Sequence, residues 1–107
     1  MDKEIYRIIT NYKQNLESLG IKVKRIILYG SYASGQARKD SDIDLVVVSD
    51  NFNEMDLWER LCLLGRARIG IYKPMEILGV TEKEFKTESN GSFIDEEVKT
   101  KGVKVIP

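Results

Sequence analysis

Asp42 and Asp44 stand at the head of the apolar run Leu45-Val46-Val47-Val48. Ten residues separate Asp42 from a Gly30-Ser31 pair that itself follows the apolar run Ile26-Ile27-Leu28-Tyr29. Both runs have the length and the β-branched content of buried strands. Strand side chains alternate between faces, so the two aspartates share a face, with roughly 7 Å between their Cα atoms. Two acids at the mouth of an apolar strand repel each other and lose solvation, and a cation between them relieves both costs. The Gly-Ser turn, opening a helix-compatible segment, offers backbone N–H groups and a hydroxyl to an anion. A cation site and an anion site a short connection apart together describe a metal-bound phosphate. By residue type alone, the acids also fit a solvated strand end and Gly30-Ser31 a plain turn.

Other phosphate-binding signatures fail. Gly30 and Gly35 have the spacing of a Walker A loop, but Gln36-Ala37 stand where Lys-Ser/Thr is required. The chain has no histidine, which excludes His-based acid–base chemistry and His-ligated zinc. The single cysteine, Cys62, excludes an internal disulfide and reads as a small core hydrophobe on an apolar helix face. Lys plus Arg equals Asp plus Glu at 17 each, so no net field draws the chain toward a polynucleotide. No apolar stretch approaches membrane-spanning length, and the opening Met1-Asp2-Lys3-Glu4 carries no apolar leader. A cytoplasmic location is the expectation.

These residues need a scaffold, and 107 residues suffice for one domain. Ile5, Ile8, Ile9, Tyr12, Leu16 and Leu19 form a stripe at helical spacing over residues 3–19, stopped by Gly20. A first strand is expected over 23–29, a short helix from Ser31 to Gly35 or Ala37, and a second strand over 43–49. That second strand is apolar on both faces and so should be central. A turn at 50–53 precedes a helix over 54–67, with Leu57, Leu61 and Leu64 as its stripe and Trp58, Cys62 and Leu63 widening it. Pro74 opens a third strand over 75–80, and Thr81-Glu82-Lys83-Glu84 is a capping box for a helix to about Glu88. A last helix from Ser92 to about Thr100 and a terminal strand over 103–106 complete the pattern. The fold class expected is α/β, or α+β mixed: a small mixed sheet flanked by helices.

The segment Gly30-Ser31-Tyr32-Ala33-Ser34-Gly35-Gln36-Ala37-Arg38-Lys39-Asp40-Ser41-Asp42-Ile43-Asp44-Leu45 resembles the signature of the nucleotidyltransferase superfamily that includes DNA polymerase β. The short chain looks most like its minimal nucleotidyltransferase branch. The resemblance implies that Asp42 and Asp44 hold Mg2+ and that a third carboxylate lies on a neighbouring strand, for which Glu76 is the best candidate. The plain alternative for Glu76 is a surface glutamate on an edge strand. Gly30 and Ser31 would grip the phosphates of ATP or another nucleoside triphosphate, with Ser41 at the nucleotide as well. Asp40 fits a loop cap at least as well as a ligand role. Arg38, Lys39 and Lys73 suit either phosphate or solvent, and Trp58 and Tyr72 suit core or interface packing better than base stacking.

The same resemblance implies transfer of AMP to a hydroxyl, with the chain acting as the antitoxin of a HEPN-domain ribonuclease toxin. Such a short chain lacks the extra helical domain of larger relatives, so another chain would supply the acceptor, with the 54–67 helix as its interface. Self-association is left open. The rivals are a catalytically silent antitoxin that acts as a binding module, a transferase for antibiotics or other small molecules, and a nucleotide sensor.

Overall fold

The structure is a computed structural model that describes residues 2–87, 98 and 101–106. Helix α1 spans Lys3–Ser18, with Asp2 as its N-cap accepting from the Glu4 amide at 2.7 Å. Strand β1 (Arg25–Tyr29) leads into the single-turn helix α2 (Ser31–Ser34), and strand β2 spans Ile43–Val48. A 3₁₀ turn over Asp50–Glu54 precedes helix α3 (Leu57–Arg66). Strand β3 (Met75–Val80), helix α4 (Glu82–Thr87) and strand β4 (Val103–Ile106) follow. The helix expected from Ser92 lies outside the described residues except Val98.

The strands form one mixed sheet in the order β3-β2-β1-β4. β1 pairs antiparallel with β2 and with β4, whereas β2 and β3 run parallel. β2 is interior, as its two-sided apolar pattern requires, and Ile43, Leu45, Val46, Val47 and Val48 are all buried. Alternation sends Leu45 and Val47 to one face, where they meet Ile9, Tyr12 and Leu16 of α1 and Leu64 of α3. Val46 and Val48 go to the other face, with Ile27, Tyr29, Val80 and Val98, flanked by Phe85 of α4. The active-site candidates belong to this second face. Among the described residues no helix is long and apolar enough to cross a membrane.

Two expected boundaries shift for identifiable reasons. α3 begins at Leu57 rather than at residue 54 because Asp56 caps it: Asp56 accepts from the Glu59 amide at 2.8 Å, and Glu59 accepts from the Asp56 amide at 3.2 Å. The 50–54 segment forms the 3₁₀ turn instead. β1 starts at Arg25; Lys24 before it still donates its amide to the Val48 carbonyl at 2.8 Å, but at Lys22 the chain is held by side chains. The Lys22 amide donates to Asn51 Oδ1 at 2.7 Å and Ser49 Oγ donates to the Lys22 carbonyl at 2.8 Å. α1 docks on α3 through two contacts that apolar patterning does not reveal. Tyr12 donates its hydroxyl to the Leu64 carbonyl at 2.7 Å, and Asn15 donates to the carbonyls of Ala67 and Ile69.

The Thr81 capping box forms as read, with the Thr81 amide donating to Glu84 Oε1 at 2.8 Å and the Glu84 amide to Thr81 Oγ1 at 3.1 Å. Arg60 of α3 extends it. Its guanidinium donates to both Glu84 oxygens (2.7 and 3.1 Å) and to the carbonyls of Met55 and Gly79, and it lies over the Phe52 ring. One side chain thus ties α3, β3 and α4 together. Arg60 holds the Glu84 carboxyl below the usual glutamate range, so Glu84 stabilises the fold at neutral pH and loses that contribution as acid protonates it. Arg60→Ala should therefore cost about 1–2 kcal/mol in urea unfolding at neutral pH, because the carbonyls of Met55 and Gly79 lose their side-chain donor and Glu84 keeps only the Thr81 amide. The gap to the parent should narrow on acidification. A loss below about 0.5 kcal/mol at neutral pH would reduce the clamp to an ordinary surface pair.

Candidate active site

Register assembles the acids. Tyr29, the last residue of β1, pairs with Asp44 of β2, and Asp44 pairs with Glu76 of β3. Residues opposed across a sheet point to the same side, so these three form one row across three strands. Asp42, two residues before Asp44, continues the row at the mouth of β2. Glu76 does lie on an edge strand and is exposed, as its plain reading held, but it is exposed beside Asp44.

The charges of the row act on one another. Burial raises the Asp44 carboxyl above the usual aspartate range, and the neighbouring charges of Glu76 and Asp42 raise it further. Burial, then Asp44 and Glu76, push the Tyr29 phenol up to about 12, so it keeps its proton at neutral pH. Among the described residues no Lys or Arg forms a salt bridge with Asp42, Asp44 or Glu76; the ion pairs there lie elsewhere. Nor are any three Asp, Glu, His or Cys side chains among the described residues gathered at a spacing that would itself hold a metal ion. The row is an open set of hard oxygen donors with uncompensated negative charge, a chemistry that suits Mg2+ completed by phosphate or water oxygens.

The Gly30-Ser31 turn abuts this row. Gly30 has φ of 73°, and a Cβ built on it would collide with Oδ2 of Asp44. Only glycine fits, on grounds of both conformation and room. Helix geometry leaves the first amides of α2, at Ser31 and Tyr32, without an intrahelical acceptor. Ala33 and Ser34 instead donate to the Gly30 carbonyl at 3.1 Å, and Gly35 ends the turn in the left-handed region.

The remaining candidates divide. Ser41 Oγ accepts from the Arg38 amide at 2.8 Å, while its own amide donates to the Arg38 carbonyl. Ser41 therefore shapes the loop that aims Asp42. Asp40, Arg38 and Lys39 are exposed on that loop. Lys73 Nζ lies 5.3 Å from the Tyr32 ring centroid and 3.5 Å from the Lys39 carbonyl, tying the approach to β3 to the motif loop. A cavity of about 600 Å³ lined by Leu28, Tyr32, Ala33 and Arg38 lies on the α1 side of the sheet, away from the acids. One expectation fails: Cys62 is exposed, not a core residue. Of the two placements expected for Trp58 and Tyr72, core or interface, the core is excluded, since they are 72% and 97% exposed. They fall on the outer side of α3 and the turn after it, since one stripe of α3 suffices to cover the sheet. Sequence reading missed Tyr29 as a member of the acid row. Its position directly before Gly30 marked it as the end of a strand, but only the β1–β2 register sets it opposite Asp44.

Comparison with known proteins converges on one family. A family model for the nucleotidyltransferase domain matches residues 9–106. The chain is 30% identical over 103 residues to a protein of Methanocaldococcus jannaschii named "Putative protein adenylyltransferase MJ0141", covering 95% of this chain and 99% of that one. Two solved structures share the fold. One is a nucleotidyltransferase by name, from Sulfolobus solfataricus, with a TM-score of 0.68 at 20% identity, covering 94% of this chain and 78% of that one. The other is a chain of a toxin–antitoxin complex with AMP-PNP, with a TM-score of 0.62 at 22% identity, covering 89% of this chain and 70% of that one. With its paired aspartates set against the Gly-Ser turn, this chain belongs to the nucleotidyltransferase domain family.

Proposed function

We propose that this nucleotidyltransferase uses ATP with Mg2+ to transfer AMP to a hydroxyl on a partner protein, and that it serves as the antitoxin of a HEPN-type toxin pair. The observation that carries the catalytic part is the single row of Asp44 and Glu76 with Asp42 beside it, directly against the glycine turn. Support for AMP and for a protein acceptor comes from the relative named as a protein adenylyltransferase, and support for the antitoxin role from the fold shared with a toxin–antitoxin chain.

In this reading Asp42, Asp44 and Glu76 would hold Mg2+, which would supply charge to offset the triphosphate and to acidify the attacking hydroxyl. Ser31 and the first amides of α2 receive phosphate oxygens at the end of the row. Gly30 keeps that turn close enough for one triphosphate to span both groups. The acceptor oxygen attacks the α-phosphorus, pyrophosphate leaves, and the acceptor's proton passes to solvent or to a carboxylate of the row. Tyr29 keeps its proton throughout and backs the inner end of the row with an apolar ring.

Purified chain co-expressed with its genomic neighbour should transfer labelled AMP to that partner only with Mg2+, and Asp42→Ala/Asp44→Ala should abolish transfer. Glu76→Gln should lower it on the order of 10²-fold. If the double variant still neutralises the partner and the parent never transfers label, the chain is a silent binding module. Transfer to small molecules by the chain alone would replace the protein acceptor.

Two further outcomes concern the row itself. Gly30→Ala should cost about 1–3 kcal/mol through its positive φ and should cut activity sharply by displacing Asp44. A fully active variant would mean that the close turn is dispensable. Because Asp44's carboxyl is raised in the folded state, its contribution to stability is fully present below the ordinary aspartate range and is lost as pH rises through the raised value. Asp44→Asn should therefore melt higher than the parent at neutral pH without Mg2+, and the difference should vanish in acid. Equal melting temperatures at neutral pH would remove the strain from the row.

A further inference from the structure

Five of the seven large apolar side chains exposed among the described residues fall between positions 57 and 72: Leu57, Trp58, Leu61, Ile69 and Tyr72. On α3 the outward stripe is Trp58, Leu61, Cys62 and Gly65, at the i, i+3, i+4, i+7 spacing of a helix–helix seam. The core is already served by Leu64, with Leu63 packed beside it. The outward stripe is therefore not needed for the core and remains largely exposed, and an apolar surface of this kind marks an interface.

We propose that α3 packs antiparallel against α3 of a second copy of this chain, about a two-fold axis between Leu61 and Cys62. Size complementarity argues for a copy of the same helix. Pairing about that point sets Trp58 opposite Gly65 of the partner, the bulkiest side chain against a helical glycine whose open side meets nothing within 4 Å. Glycine inside a helix is otherwise unfavourable, and an approaching indole gives it a use.

Charge complementarity points the same way. Asp56 and Glu59 lie at the N-terminal end of α3, whereas Arg66 and Arg68 lie at its C-terminal end. Glu59 and Arg66 occupy the same flank, because seven residues are nearly two full helical turns. An antiparallel pair brings Glu59 of each copy beside Arg66 of the other, twice by symmetry, whereas a parallel pair would set like charges together.

Position in the fold favours a second copy over a chain carrying the acceptor hydroxyl. α3 covers the face of Leu45 and Val47, and the acid row opens on the face of Val46 and Val48. An acceptor bound to α3 would sit across the sheet from the carboxylates. A second copy there leaves both acid rows open.

The native single cysteine makes the test direct. Sedimentation of the intact chain over a range of concentrations should give a dimer, and copper-phenanthroline oxidation should link Cys62 to Cys62. Trp58→Glu should weaken association about tenfold or more and suppress the link, since a central tryptophan is the expected anchor. Gly65→Leu should do the same while leaving the melting temperature of dilute protein unchanged or higher, a combination that loss of folding cannot produce. Tyr72→Ser, outside the seam, should change neither. A monomer at every concentration without a Cys62 link would overturn the proposal. So would a link that survives Trp58→Glu, or a monomeric chain that uses Trp58 only to bind a different, co-expressed protein.

Discussion

The arrangement depends on mutual repulsion among carboxylates held in place by an apolar ladder. Asp44 is fixed because the residues after it, Leu45 to Val48, are buried between two covered faces and cannot slip. A one-residue change of register would turn the whole strand inside out. Glu76 is fixed by its parallel pairing with the same strand. Hydrophobic burial along β2 thus offsets an electrostatic cost at its mouth. The cost is visible in the raised Asp44 carboxyl and the raised Tyr29 phenol.

The second face of the sheet is the thinner one, and its covering is held by polar contacts. Arg25 pairs with Glu82 at 2.9 Å and lies over Phe85, while Arg60 grips Glu84. Both arginines reach α4, one from β1 and the other from α3. These bidentate pairs supply orientation that a small apolar cluster alone does not. α4 in turn places Phe85 over the strand ends remote from the acids, so one face both closes a core and leaves a reactive mouth open.

Much of this was legible in the sequence because local signals and tertiary demands agree. The limits of β3 follow from Pro74 and the Thr81 capping box, and the centrality of β2 from its unbroken apolar run. The Gly30-Ser31 and Asp42/Asp44 spacing pointed to the family that the domain model and the relative show. Illegible were features that depend on which strand lies beside which. The Tyr29–Asp44–Glu76 row requires the antiparallel β1–β2 and parallel β2–β3 registers, which no single segment encodes. The start of α3 was misplaced for the opposite reason. The Asp56–Glu59 box is a local signal, and it outweighed the helix-compatible composition before it.

The exposure of Cys62 has a physical reason. Sequence periodicity measures how wide an apolar stripe is and is silent on what covers it. Cys62 reads as core, and Trp58 as core or interface, because both continue the stripe of Leu61 and Leu64. The sheet, however, needs only the narrow arc from Leu63 to Leu64, extended by Arg60 and Ala67. Gly79 sharpens the point: an added Cβ would press on Phe52 and Leu64 at 3.0 and 3.1 Å, so α3 is seated as close to β3 as its side chains permit. A helix held that tightly by one arc cannot roll to bury another. Its remaining apolar width, set on the face away from the carboxylates, is surface that association can cover without obstructing the row.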